Sequence, residues 1–222
     1  MFENKIIIFD FDSTFIKVET IDELAKIILK NDKDKTDKLK LIEKITNLAM
    51  NGEINFSSAL QKRIEILSIK RDDIKKIINV LSTLISDSIK RNKNFIKSFS
   101  NQIWIVSGGF KEIIVPIVSD YGIEEERILA NEFVYHNNTV IGCEESKLLF
   151  QNKGKIKAIE RQNLEGIKII IGDGYTDYEV FQNGAAHHFV YYCENINRSK
   201  ISHLAKYKAN SFEELIDIIK IF

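Results

Sequence analysis

The sequence predicts an α/β protein: a parallel sheet flanked by helices, with a small helical cap inserted after the first strand. Three observations carry this. Short apolar runs recur at 5–9, 102–106, 128–130, 168–171 and 188–192. From the second onward they alternate with amphipathic stretches, the pattern of parallel strands joined by helices. Between the first and second runs, about ninety residues hold no comparable strand and show helical periodicity instead.

Taken in order, Ile6-Ile7-Ile8-Phe9 reads as a short buried strand, and Asp10 and Asp12 follow it at once. A helix is expected from Asp22 onward. A second covers 38–50, where Leu39, Ile42, Ile45, Leu48 and Ala49 share a face, and a third covers 56–66. Ile74, Ile77, Ile78, Leu81, Leu84 and Ile85 then keep the i, i+3, i+4 rhythm of a fourth. The charge-rich 30–40 stretch reads as a solvated connection. An insertion at this point of the chain should cover the carboxyl edge of the sheet. The expected division is therefore a core of 1–16 and 92–222 with a cap of 17–91. Phe133–His136 and Thr139–Cys143 flank Asn137-Asn138, which suits a two-residue hairpin.

Composition bounds the function. With 222 residues, 44% hydrophobic and 29% charged, the chain can bury one full α/β core and one modest insertion. Lys+Arg and Asp+Glu stand at 32 each, so no global field selects nucleic acid or a membrane surface. No apolar stretch approaches the ~18 residues of a membrane span. Acids interrupt the first apolar run and no small-residue cleavage site follows, so a cytoplasmic protein is expected. Cys143 and Cys193 then read as two free, buried thiols.

The chemistry gathers in four segments, each at a strand end or a helix start. In Asp10-Phe11-Asp12-Ser13-Thr14, residues two apart on an extended chain point the same way, so both acids can face one pocket. Two adjacent carboxylates repel unless a cation neutralises them, which points to a divalent metal, Mg²⁺, and to phosphate chemistry. Val106-Ser107-Gly108-Gly109-Phe110 is expected to open a helix, offering a hydroxyl and backbone N–H groups to an oxyanion. Asn152-Lys153-Gly154-Lys155 starts a helix through Ile156 and Ile159, and Lys153 is the lysine assigned to a phosphoryl oxygen. Gly172-Asp173-Gly174-Tyr175-Thr176-Asp177 supplies hard oxygen ligands beside a tight turn. Each segment alone is a common turn or cap. Their order, and the different part each supplies, is what points to one site.

This constellation resembles the haloacid dehalogenase superfamily of phosphohydrolases over nearly the whole chain, and within it the phosphoserine phosphatases. Asp10-Phe11-Asp12-Ser13-Thr14 with Glu19-Thr20-Ile21-Asp22-Glu23 is similar to that family's opening segment, and Met50 to Phe56 with Lys62-Arg63 to its cap. Thr176 stands where many relatives carry Asn, and the tail from Ala186 to Tyr192, with His187-His188, departs from the pattern. The resemblance implies a Rossmann-like sheet, an Mg²⁺ cofactor and a small phosphorylated amino acid as substrate, with no nucleic-acid or membrane partner.

Roles follow residue by residue. Asp10 is the expected nucleophile, forming an aspartyl-phosphate. Asp12 is the expected acid and then base, its pKa raised by its neighbour. Ser107, the Gly108 N–H and Lys153 face the phosphoryl oxygens. Asp10, the Asp12 carbonyl and Asp173 hold the metal, and Asp177 orients them. Glu19 meets an ammonium group, Arg63 a carboxylate, and Met50 and Phe56 close over the substrate, with Thr176 at its edge. The bland alternative makes Glu19 and Arg63 exposed charges. Transfer to a homoserine-like alcohol, or hydrolysis of another small phosphomonoester, keeps the same chemistry. An aspartate-phosphorylated receiver is the non-enzyme alternative, but it needs neither Asp12 nor a cap. Trp104 is assigned to the core and Tyr175 to the entrance. An adjacent histidine pair seldom chelates one ion, so His187 and His188 carry no metal role. Tyr191-Tyr192 fits either a strand end or a dimer patch.

Overall fold

The computed structural model describes residues 4–222. The first three residues of the expected core segment lie outside the described residues. The chain enters as β1 (Lys5–Phe9), whose isoleucines alternate between the two faces of a sheet covered on both sides. Burying each such side chain contributes about 1.5–3 kcal/mol. An irregular turn at Phe11–Phe15 leads into four longer helices, α1 (Thr20–Ile28), α2 (Lys35–Met50), α3 (Phe56–Leu67) and α4 (Arg71–Leu81). Two short ones follow, α5 (Asp87–Arg91) and α6 (Lys93–Ser98).

The remainder alternates as expected. It runs through β2 (Ile103–Phe110), α7 (Lys111–Val118), β3 (Ile128–Asn131), β4 (Phe133–His136), β5 (Thr139–Cys143), α8 (Gly154–Arg161), β6 (Ile167–Gly172) and α9 (Tyr175–Gln182). It ends with β7 (His188–Tyr192), α10 (Ser199–Leu204), β8 (Tyr207–Ala209) and α11 (Phe212–Ile219). Strand β8, only Tyr-Lys-Ala, is too short and too polar to register as an apolar run.

All six strands of the main sheet are parallel, in the order β3-β2-β1-β6-β7-β8. Strand β1 is central: Ile7 faces Ile103 on one side and Ile169 on the other. The chain runs outward from β1 through β2 and β3, then returns to lay β6 against its other edge. That reversal opens a crevice at the carboxyl ends of β1 and β6, where open α/β sheets bind ligands. The Asp10 N–H donates to the Ile171 carbonyl at 2.9 Å, which seats the first acid in it.

The inserted helices share a core with the sheet. One apolar cluster runs from Ile7 and Phe9 through Leu24, Ile42 and Leu60 to Ile77. The antiparallel β4–β5 hairpin turns on Asn137, at φ +54°, and props this layer up. Its Asn138 carbonyl accepts from the Arg71 N–H at 3.1 Å, and the Val140 N–H donates to Ile69 at 2.8 Å.

Several expectations are refined here. Tyr191 and Tyr192 are fully buried, so they belong to the strand. His187 Nδ1 accepts from the Lys168 N–H at 2.9 Å, while His188 stacks on Phe222 at 3.8 Å, so the pair points apart. Both thiols are free, but only Cys143 is buried and Cys193 is half-buried. Among the described residues no helix is long and apolar enough to cross a membrane.

Candidate active site

The site begins where β1 ends. Asp10 is extended and 5% exposed, and its Oδ1 accepts from the Phe11 N–H at 2.7 Å. The chain then leaves the sheet through a turn wider than an α-helical one, closed by Ile16 N–H donating to Phe11 at 3.0 Å. Asp12 within it is extended, and Ser13 takes a left-handed φ of +53°. This turn carries the Asp12 carboxylate to the Thr20 hydroxyl, which donates to its Oδ1. The Ser13 hydroxyl donates to Glu19 Oε1 at 2.8 Å.

Opposite, β6 ends in Gly172, and Asp173 and Asp177 project from the loop and from the first turn of α9. Gly172 is required by packing: a Cβ there would lie 2.2 Å from the Asp177 carboxyl. Asp177 Oδ2 accepts from the Gly174 N–H at 3.2 Å. Asp173 Oδ1 accepts from the Thr14 hydroxyl at 3.3 Å. Carboxylate oxygens of Asp10, Asp173 and Asp177 lie within 4.8 Å of one another, all three buried.

The lysine of this site is Lys155, which corrects the expectation for Lys153. Lys153 is the left-handed residue before α8 (φ +57°), exposed, with its Nζ 3.2 Å from Asn183 Oδ1. Two residues on, helix geometry turns Lys155 inward beside Ala158 and Ile159. Its Nζ pairs with Asp10 Oδ1 at 2.9 Å and Asp177 Oδ1 at 2.7 Å. That face was legible, because Lys155 shares the i, i+3, i+4 register of the buried apolar residues.

A second correction concerns Ser107. Strand β2 runs on through a bulge to Phe110 and α7 starts only at Lys111, so Gly108 does not open a helix. Ser107 is buried, its Oγ accepting from the Gly109 N–H at 3.0 Å.

One small cavity of about 20 Å³ collects the expected groups. Asp10, Asp12, Ser107 and Lys155 line its floor, and Glu19, Met50, Phe56, Arg63, Gly108 and Thr176 line the rest. Phe56 closes it so tightly that a Cβ on Gly108 would lie 2.1 Å from the ring. A larger cleft of about 300 Å³, bordered by Phe56, Tyr175 and Lys153, lies outside. Arg63 is buried, its Nε donating to Ala59 at 3.2 Å and its Nη1 to Thr46 Oγ1 at 3.0 Å. Glu19 and Arg63 are therefore not the exposed charges of the bland alternative.

Two residues had no sequence signal. Asn195 Nδ2 donates to the Ser13 carbonyl at 3.1 Å and to Ser86 Oγ at 2.7 Å, bracing the first turn. Arg198, also from the segment after β7, pairs with Asp173 Oδ2 at 2.7 Å and Glu19 Oε1 at 3.1 Å.

Electrostatics match this crowding. Burial, then the Glu19 charge, pushes the Asp12 carboxyl well above the usual carboxylate range, against the Thr20 bond. Burial lifts Asp173 to about 7, with Arg198 opposing. Burial and the Asp10 charge raise Asp177, with Lys155 opposing. Burial works against the Lys155 ammonium, but Asp10 and Asp177 outweigh it and hold it charged. Five carboxylates thus meet three cationic side chains, Lys155, Arg63 and Arg198. A divalent cation would neutralise that anionic surplus, and a hard one suits an all-oxygen donor set.

The family model for haloacid dehalogenase-like hydrolases matches residues 7–182. The chain belongs to that family. It is 30% identical to the phosphoserine phosphatase of Homo sapiens over 94% of this chain and 90% of the relative. It is 31% identical to that of Methanocaldococcus jannaschii over 81% and 82%. A phosphoserine phosphohydrolase-like protein from Francisella tularensis superposes with a TM-score of 0.87 at 37% identity, covering 97% of this chain and 99% of that one. As a haloacid dehalogenase-like hydrolase of the phosphoserine phosphatase type, the chain is a phosphoric monoester hydrolase, and aspartyl-phosphate chemistry with Mg²⁺ is general to such enzymes.

Proposed function

We propose that this chain hydrolyses O-phosphoserine to serine and phosphate through an aspartyl-phosphate on Asp10, with Mg²⁺ as cofactor. The observation that carries the reading is that Glu19 and Arg63, of opposite charge, line the same small cavity as Asp10, Asp12 and Lys155. A zwitterionic head beside a phosphate matches that distribution, whereas a neutral sugar phosphate would leave both buried charges without a ligand partner.

Asp10 Oδ1 is committed to Lys155 and the Phe11 N–H, which leaves Oδ2 to attack phosphorus. Lys155, Ser107 and the Gly108 N–H receive the equatorial oxygens, where charge gathers in the transition state. Asp12, raised in pKa, gives its proton to the departing serine oxygen, and as a carboxylate it then takes one from the water that cleaves the acyl-phosphate. Asp10, the Asp12 carbonyl and Asp173 would hold Mg²⁺. Asp177, paired with the Lys155 ammonium through one oxygen and with the Gly174 N–H through the other, orients the lysine and the loop. Mg²⁺, when bound, supplies the positive charge that lets a carboxylate approach a phosphate.

A phosphate-release screen with Mg²⁺ over phosphoserine, phosphothreonine, phosphohomoserine and sugar phosphates, with and without free homoserine, tests this. Phosphoserine should show the highest kcat/KM, and homoserine should yield no phosphorylated product. A preferred sugar phosphate, or transfer to homoserine, would overturn the assignment.

A further inference from the structure

The tail segment after β7 carries an arginine whose three guanidinium nitrogens each hold a different part of the molecule. Arg198 is 7% exposed. Its Nε donates to Asp173 Oδ2 at 2.7 Å, at the end of β6. Its Nη2 donates to Glu19 Oε1 at 3.1 Å, at the start of α1. Its Nη1 donates to Asn47 Oδ1 at 3.3 Å, on α2. Its own N–H is anchored on the hydroxyl of the buried Tyr191 at 2.5 Å. Nearby, Lys200 Nζ donates to the Asn51 carbonyl at 2.8 Å, fastening the far end of α2 to the same segment.

A buried cation is costly unless every donor is matched, and a planar fork can satisfy three acceptors where an ammonium holds one point. The geometry also selects oxygens. Glu19 Oε1 receives both Ser13 and Arg198, which leaves Glu19 Oε2 to face a ligand, while Asp173 Oδ2 receives Arg198 and its Oδ1 meets only the long Thr14 hydroxyl bond at 3.3 Å.

We propose that Arg198 is a positioning residue that holds the metal-side acid Asp173 and the recognition acid Glu19 at one fixed separation, so that one side chain sets both metal affinity and preference for an ammonium-bearing substrate. The part concerning Glu19 rests on the function proposed above, and the part concerning Asp173 does not.

The test compares wild type, Arg198→Met and Arg198→Lys by three readouts. These are Mn²⁺ affinity from electron paramagnetic resonance, KM for phosphoserine, and KM for p-nitrophenyl phosphate, which lacks an ammonium group. Removing a residue that orients a metal ligand typically weakens affinity by about 10–100-fold. Arg198→Met should weaken Mn²⁺ binding by about tenfold or more and raise the phosphoserine KM by about tenfold or more. The p-nitrophenyl phosphate KM, read at saturating metal, should stay within about twofold. Arg198→Lys keeps the charge but cannot span both acids, so it should repair one defect and not both. Full repair by lysine would show that charge alone is needed and would overturn the proposal, as would Arg198→Met with unchanged Mn²⁺ affinity. If the methionine variant does not fold, the lysine variant decides on the same criterion. A wild type that binds Mn²⁺ but ignores phosphoserine would sink the substrate assignment, while the Mn²⁺ arm would still test the hold on Asp173.

Discussion

Lys155 Nζ stands 2.9 Å from Asp10 Oδ1, an ion pair between two buried groups drawn from segments 145 residues apart. It fixes the attacking carboxylate and leaves an ammonium beside the phosphate position. Lys155→Met should lower kcat/KM by about 10²–10³, the usual cost of a lost charge stabiliser. Lys153→Ala should stay within about twofold of wild type, since surface changes remote from such features do little. Steady-state kinetics of the two variants side by side check this.

Asp10→Asn should abolish turnover while far-ultraviolet circular dichroism stays native. Asp12→Asn should separate substrates. A serine leaving group needs a proton, so phosphoserine hydrolysis should fall by about 10²–10⁴. An aryl phosphate, with its better leaving group, should lose far less. Parallel losses would remove the acid role from Asp12.

Arg63 should act on recognition more than on chemistry. Arg63→Met keeps the buried stem but removes the fork. The phosphoserine KM should rise about tenfold, equivalent to about 1.4 kcal/mol, while an uncharged phosphomonoester is spared. Equal effects on both would mean that its bonds to Ala59 and Thr46 matter only for the fold.

Gly108 and Phe56 are a packed pair across the closure. Gly108→Ala should destabilise the fold by about 1–3 kcal/mol, the usual range for overpacking. Pairing it with Phe56→Leu should recover part of that loss, read as a non-additive double-mutant cycle in thermal unfolding. Simple additivity would place Phe56 away from Gly108 in solution.

The two thiols should differ in reactivity. Burial pushes Cys143 up to about 12, so at pH 8 only about one thiol in 10⁴ is ionised. Cys143 should react with a thiol reagent only after unfolding, which removes the burial and returns the thiol to its ordinary range of about 8.5. Cys193, half-buried and raised less by burial and Glu214, should label slowly in the native protein.

The sequence by itself determined the sheet strands with long apolar runs, the hairpin at Asn137-Asn138 and the four segments that meet in the crevice. These signals are local: periodicity, turn chemistry and acids at strand ends. It marked the inward lysine only through the register of Lys155 with Ala158 and Ile159, and the packing of α8 against β2 made the choice between Lys153 and Lys155. It did not determine where β2 ends, since the bulge at 106–110 depends on the neighbouring strand. Arg198 and Asn195 lay beyond any local reading. Their partners, Asp173, Glu19, Asn47 and the Ser13 carbonyl, are brought near only when β7 lies beside β6 and the inserted helices fold back over the sheet. Tertiary structure decided those contacts because burying a guanidinium or an amide is favourable only where several chain segments supply matching acceptors at once.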